Sequence, residues 1–175
     1  EWVTEETPLD PAVMRSDRRA TAERDWQELA RASGLPLHIF RLAGIYGPGR
    51  NQLKAVKDGT AKRIVKEGQI FSRIHVDDIA KVLEASMARP NPGAVYNVCD
   101  DEPAPAPVPI AYAADLLGVE PPPEVPFEEA ELSPMARSFY MSSRRVSNRR
   151  IHEELGGTLG YPTYSEGRKV FMKTV

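Results

Sequence analysis

The side chains with chemical capacity gather around one glycine-rich stretch, Leu37 to Arg50, read Leu-His-Ile-Phe-Arg-Leu-Ala-Gly-Ile-Tyr-Gly-Pro-Gly-Arg. Its first half, Leu37 to Leu42, is mostly apolar or aromatic and follows Gly34 and Pro36, the pattern of a buried strand. Gly44, Gly47, Pro48 and Gly49 then crowd together and predict a loop whose backbone takes positive φ and approaches a ligand closely. Open α/β sheets bind ligands at the carboxyl ends of their parallel strands, so the site is expected here, beside Tyr46 and Arg50. Arg41 sits within the apolar strand, where an unpaired charge is expensive, and therefore demands a carboxylate or carbonyl partner. That partner could be structural or part of the site.

Further along, His75 precedes two carboxylates, Asp77 and Asp78, whose expected work is to cap a helix. His75 is equally suited to a backbone hydrogen bond or a ligand. His38, His75 and His152 lack metal-ligand spacing, so no metal site is expected. Arg144, Arg145, Arg149 and Arg150 could meet a phosphate or form a solvated helix face. Cys99 is the one cysteine of the 175 residues, which excludes an intrachain disulfide and a cysteine-built metal cluster. It reads as a buried packing residue in a reducing compartment. With 23 basic and 25 acidic residues, the chain points to neither nucleic acid nor an anionic membrane as its main partner. No apolar run approaches the roughly 20 residues of a spanning helix, and a cytoplasmic location is expected.

The elements that must position these groups follow from pattern. Asp10-Pro11 reads as a cap and first helical position, opening a helix to Ser33 with Ala22, Trp26, Leu29 and Ala30 on one face. After the glycine loop come a short helix at Gln52 to Lys57 and one or two strands within Ile64 to Ile74. A helix follows, with an apolar stripe of Ile79, Val82, Leu83 and Met87. Ala94 to Val98 reads as a strand. Eight of the sixteen prolines lie between Pro103 and Pro126, which reads as exposed connection around a helix at Ile110 to Leu117 stopped by Gly118. A basic helix at Val146 to Leu155 ends at Gly156 and Gly157, and the tail from Tyr161 reads as irregular. Alternating helices and strands imply an α/β chain with parallel strands and helices on both faces. A buried strand such as Leu37 to Leu42 needs neighbours on both edges, so further strands are expected from outside this sequence.

Several of these segments also carry a family resemblance. Arg41-Leu-Ala-Gly-Ile-Tyr-Gly-Pro-Gly-Arg50 resembles the arginine to Tyr-Gly-Pro-Gly segment of extended short-chain dehydrogenase/reductases, the superfamily of nucleotide-sugar epimerases and dehydratases. Arg73-Ile-His-Val-Asp-Asp-Ile-Ala80 resembles that family's His-Val-x-Asp landmark, and Gly93-Ala-Val-Tyr-Asn-Val98 its late strand. Ser142-Ser-Arg-Arg-Val-Ser-Asn148 with Leu155-Gly156 is similar to the C-terminal segment of small atypical members. Each motif is weak alone; four in order are more specific. The resemblance covers nearly the whole chain but only the second half of the family's fold.

What it implies is a partial Rossmann-like, doubly wound parallel sheet over residues 1–100, with a small, irregular, α-rich substrate region over 101–175, the two forming one continuous unit. The glycine-rich dinucleotide turn, with its acidic residue about 20 positions on, opens no βαβ unit here. Gly44-x-x-Gly47-x-Gly49 with Glu67 has the glycine order reversed and is no substitute. The family's catalytic tyrosine and lysine, counted back from Glu23, fall on Arg15 and Arg19. Arginine stays protonated, so Arg15 cannot shuttle a proton, whereas Arg19 could touch ribose or phosphate. A solvated helix face explains Arg15, Arg18 and Arg19 equally well. By position in the resemblance, Leu42, Ala43 and Gly44 line the nicotinamide end of an NAD or NADP cofactor. Tyr46, Arg50, Arg73 and His75 face the substrate pocket, and the helix 11–33 is a homodimer surface. The implied function is part of an NAD(P)-dependent oxidoreductase or epimerase-like protein acting on a nucleotide sugar or similar small molecule. The alternatives are a non-catalytic NAD(P)-binding sensor and an interaction module without cofactor.

Overall fold

Local patterns set the elements, and long-range pairing assembles them. The computed structural model describes residues 2–9, 14–156 and 159–171. In chain order these form β1 (Trp2–Val3), α1 (Met14–Ser33), β2 (Ile39–Leu42), β3 (Gly44–Tyr46), α2 (Gln52–Lys57), β4 (Arg63–Val65), β5 (Arg73–His75) and α3 (Val76–Ala88). There follow β6 (Val95–Val98), α4 (Pro107–Leu117), β7 (Glu124–Pro126), α5 (Pro134–Ser138), β8 (Arg145–Val146), α6 (Arg149–Leu155) and α7 (Tyr164–Phe171). Every strand pair is parallel: β2 with β6, β3 with β5, β4 with β7 and β1 with β8. The fold is α/β, with parallel strand pairs and helices, as the alternating pattern requires.

One face of the β2–β6 pair carries the main core. Ile74, Val82, Tyr96, Val98, Ile151 and Leu155 form its buried centre, and Phe40 and Ile79 pack against it. This core joins β5 and β6 to α3 and α6. A second cluster of Tyr46, Leu53 and Ala113 welds β3 to α2 and α4. The halves expected at 1–100 and 101–175 interleave, since β7 pairs with β4 and β8 with β1.

The other side of β2 meets α1 through Arg41. Its Nη2 and Nε donate to the two carboxylate oxygens of Glu23 at 2.7 and 3.2 Å, and its Nη1 donates to the Glu5 carbonyl at 3.1 Å. The strand arginine thus has both the carboxylate and the carbonyl its position demands. This bidentate pair fixes α1 in register on the sheet.

Several expectations need correction. The glycine stretch is not all loop: Gly44–Tyr46 is a strand, and the turn proper is Gly47 to Arg50, closed by reciprocal backbone bonds of 3.1 Å. β2 is half-buried rather than buried, with Leu42 45% exposed, because its pairing is with β6 alone among the described residues. On α1 the small Ala20 is buried while Trp26 and Leu29 are exposed, so the expected apolar stripe faces outward. α3 buries Asp78, Val82 and Ser86, leaving Leu83 and Met87 exposed. Its cap is His75, whose Nδ1 accepts from the Asp77 N–H at 3.1 Å, not Asp77 or Asp78. The proline-rich segment contributes β7, α4 starts three residues early at Pro107, the basic helix is confined to Arg149–Leu155, and the tail forms α7. Asp10, Pro11 and Gly157 lie outside the described residues.

Replacing Glu23 by Gln leaves a largely buried guanidinium with a neutral partner. Glu23→Gln is expected to lower stability by about 2 kcal/mol, read as a shift in the urea midpoint. An unchanged midpoint would show that solvent replaces the pair without loss.

Candidate functional site

The site is built where one strand changes partner. The Ala43 N–H bonds the Val98 carbonyl at 3.1 Å, continuing the β2–β6 ladder, and the next residue, Gly44, donates to Ser72 at 3.2 Å. From there the chain runs as β3 along β5. On the opposite flank the Asp100 N–H donates to the Arg73 carbonyl at 2.6 Å, so β5 wedges in beside the carboxyl end of β6. This juncture is the strand-end position at which α/β sheets place ligands.

The following turn is shaped by close approach. A Cβ on Gly47 would lie 2.7 Å from Val76 Cγ1, and Gly49 has φ +73°, so both positions suit glycine. Asn51 locks the turn, accepting from the Lys54 N–H at 3.0 Å as the α2 cap and donating to the Gly47 carbonyl at 3.0 Å.

Of the expected substrate-facing residues, Tyr46, Arg73 and His75 come together and Arg50 stays at the exposed end of the turn. Tyr46 is 3% and His75 1% exposed, their rings edge to face at 5.2 Å. Tyr161 lies over His75 with ring centroids 3.9 Å apart. α7 covers Tyr46 through Gly167, where a Cβ would stand 2.5 Å from the phenol oxygen. Burial holds the His75 imidazolium below its ordinary pKa, against the pull of Asp77 and Asp78. The ring is a neutral capping group at pH 7. Leu42 and Gly44 are exposed and Ala43 is half-buried, leaving an open backbone shelf at the end of β2. Arg19 is exposed on α1, and the Arg15 side chain lies outside what the structure describes.

Two carboxylates are central, one that pattern reading took for a helix cap and one that it missed. Asp78, fully buried, accepts the N–H groups of Gly160 and Tyr161 at 2.7 and 2.9 Å, with Lys81 at 3.3 Å. It straps the segment that carries Tyr161 onto α3, and nothing in its local sequence distinguishes it from a cap. Asp100, 1% exposed, follows directly from the apolar strand β6, a strand-end position that could have flagged it. Its Oδ1 accepts from Glu102 at 3.3 Å, while its buried Oδ2 has no partner among the described residues. Burial pushes the Asp100 carboxyl up to about 7, only partly offset by the Glu102 N–H and Arg73.

The basic C-terminal cluster is mostly occupied. Arg150 pairs with Glu154 at 2.6 Å, Arg149 with Glu153 at 3.7 Å, and Glu154 also accepts from Tyr96 and Asn91. Arg144 and Arg145 are exposed. Cys99 is buried, donates to the Val146 carbonyl at 3.3 Å and has its thiol pKa raised by desolvation. Among the described residues no group of three or more His, Cys, Asp or Glu could hold a metal ion, and no helix is long and apolar enough to cross a membrane.

The fold recurs in known structures. A functionally unknown conserved protein from Silicibacter pomeroyi superposes with a TM-score of 0.93 at 56% identity, over 99% of this chain and 61% of that one. A dTDP-glucose 4,6-dehydratase from Bacillus anthracis, in complex with NAD, superposes with a TM-score of 0.75 at 18% identity, over 99% of this chain and 56% of that one. In sequence, a 3-diazoavenalumate denitrifying reductase from a Streptomyces species is 31% identical over 162 residues, 85% of this chain and 51% of that protein. The chain thus spans about half the length of that relative. No family model matches it. The two solved structures share a Rossmann-like fold with the chain.

The raised Asp100 carboxyl makes stability pH-dependent with a defined sign. The folded state holds the proton more tightly than the unfolded chain, so this contribution is complete below about pH 4 and is lost as pH rises through about 7. Asp100→Asn is expected to be more stable than wild type at pH 8, with the gap closing toward pH 4. Urea melts at both pH values check this, and a gap independent of pH would refute it.

Proposed function

We propose that the chain is part of an NAD(P)-dependent oxidoreductase or epimerase-like protein of the extended short-chain dehydrogenase/reductase family, acting on a nucleotide sugar or similar small molecule. The observation that carries this reading is the exchange of strand partners at Ala43 and Gly44, which leaves an open shelf at the carboxyl end of β2 in a fold shared with an NAD-bound dehydratase. The reductase named above, at 31% identity, supports redox chemistry.

The residues present fit a nicotinamide cofactor at this shelf. The exposed Leu42 side chain offers an apolar surface to a ring, Ala43 and Gly44 offer backbone, and Arg19 is an exposed cation suited to ribose or phosphate. When bound, such a cofactor supplies hydride transfer. Tyr46, Arg50, Arg73 and His75 are assigned to the substrate side. His75 is a neutral cap within this set, which suits it to orienting Tyr46 and the start of α3 rather than to carrying charge.

Arg15 and Arg19 standing at the family's tyrosine and lysine positions favour a second reading, a cofactor-binding sensor without turnover. An interaction module without cofactor is the third. In the first two readings the glycine-rich phosphate turn comes from outside these 175 residues, and a cytoplasmic location is part of the proposal. The outward Trp26 and Leu29 make α1 the proposed homodimer surface.

The test uses the longer polypeptide encoded with its upstream residues, titrated with NADPH and NADH. Saturable binding weakened at least fivefold by Arg19→Ala is expected. Turnover with a reducible substrate supports the oxidoreductase, binding without turnover supports the sensor, and absence of binding leaves the interaction module.

A further inference from the structure

A hollow of about 630 Å³ opens where α2 and α4 both stop, and it shares no residue with the strand-end site. The two helices meet at a buried cluster that includes Leu53 and Ala113. α2 ends at Lys57, and the Asp58 N–H turns back onto the carbonyls of Lys54 and Val56. α4 ends at Leu117 because Gly118 takes the left-handed conformation, φ +67°, and the chain then leaves toward β7. Packing between the helices therefore ceases at their ends. Val56, Leu116 and Leu117 rest half-buried on the cluster as an apolar floor, and Val119 and Pro122 stand beside it as a wall.

Two exposed charges of opposite sign line this hollow, Lys57 at the end of α2 and Glu120 just past the stop of α4. The Val119 and Gly118 N–H groups bond the carbonyls of Ala114 and Asp115 at 3.1 and 3.0 Å. Those of Leu116 and Leu117 accept no backbone N–H among the described residues. The negative end of the α4 dipole thus lies beside Glu120, a setting that favours an ammonium group. Lys57 offers a carboxylate the complementary contact. A ligand with a single charge would meet its like charge as well as its opposite, whereas a zwitterion matches both. The floor and wall ask for apolar substituents between the two charges, and the volume falls in the range of roughly 300–1,000 Å³ typical of small-molecule pockets.

We propose that this hollow is a second ligand site, for a short apolar peptide with both termini free. Its ammonium group lies at Glu120 and the end of α4, its carboxylate at Lys57, and its side chains on Val56, Leu116 and Leu117. The proposal stands apart from every reading of the cofactor shelf, because none of these residues belongs to it.

The experiment titrates the 175-residue chain with leucyl-leucine, its N-acetyl form, its amide and glycyl-glycine, by calorimetry and by methyl NMR. Leucyl-leucine is expected to bind saturably and to shift the methyl signals of Val56, Leu116 and Val119. Removing either terminal charge should weaken binding about threefold, the scale of one exposed ion pair. Glycyl-glycine, which lacks the apolar side chains, should show no saturable binding. Lys57→Gln should weaken leucyl-leucine about threefold and leave its amide unchanged, and Glu120→Gln should do the same with the N-acetyl form as the unchanged partner. Both positions are exposed, so the variants keep the fold. No saturable binding of leucyl-leucine, methyl shifts confined to other parts of the chain, or parity between the free and capped peptides would each overturn the proposal. Glycyl-glycine binding as tightly as leucyl-leucine, or variants that bind leucyl-leucine like wild type, would do so too. No cofactor enters the measurement, so its failure is separate from failure of the NADPH titration.

Discussion

The arrangement depends on one change of hydrogen-bonding partner. Between Ala43 and Gly44 the chain leaves the β6 ladder and joins β5, and every group of the candidate site is placed by that step. Backbone N–H and C=O groups in a buried sheet must be satisfied, so a strand can change partner only where a third segment arrives to take over. Ser72 and Arg73 are that segment: Ser72 accepts from Gly44 while the Arg73 carbonyl accepts from Asp100. The wedge opens the strand ends, sets the Tyr46 and His75 rings edge to face across β3 and β5, and brings the Arg73 guanidinium within electrostatic reach of Asp100, Tyr164 and Tyr46.

How buried charge is handled differs from place to place. Arg41 is matched by a bidentate carboxylate and a carbonyl, and Asp78 by two backbone N–H groups and a lysine. The exposed Glu154 likewise gathers Tyr96, Asn91 and Arg150. Each resembles a site whose first duty is architectural, since satisfied charges specify a register. Arg73 and Asp100 depart from this. Among the described residues Arg73 hydrogen-bonds through Nη1 alone, to two carbonyls, and Asp100 keeps an oxygen without a donor; both lie at the strand ends where ligands bind in α/β sheets. Residues that break a rule obeyed elsewhere in the same molecule are candidates for function.

Local signals made part of this legible in the sequence. The helix Gln52–Lys57 stands at its expected limits, Gly118 and Gly156 end their helices in the left-handed conformation, and the strand before Cys99 is where its β-branched residues put it. The need of Arg41 for a partner followed from its apolar neighbours. Nonlocal facts were not legible. β7 forms within a proline-rich segment because β4 offers it an edge, and Pro126 ends the paired run. His75 captures the cap of α3 because its ring folds back over the Asp77 N–H, leaving Asp78 free to turn toward a loop far along the chain. Tyr46 and His75 were visible as a pair of landmarks, but their burial under Tyr161 and Gly167 depends on a tail read as irregular, although Thr163 and Glu166 have the spacing of a capping box and the Glu166 N–H donates to Thr163 Oγ1 at 3.3 Å.

The Asp78 strap also imposes an order on folding. Its two bonds join residues separated by 82 and 83 positions, among the longest closures in the described chain. Closing so large a loop costs entropy that only an already formed α3 can offset, by presenting the carboxylate in place. Docking of the segment from Gly160 onward is therefore a late event. On a ribosome, β3, β5 and α3 emerge long before the residues that roof them, so Tyr46 and His75 pass through synthesis uncovered, within reach of solvent and chaperones.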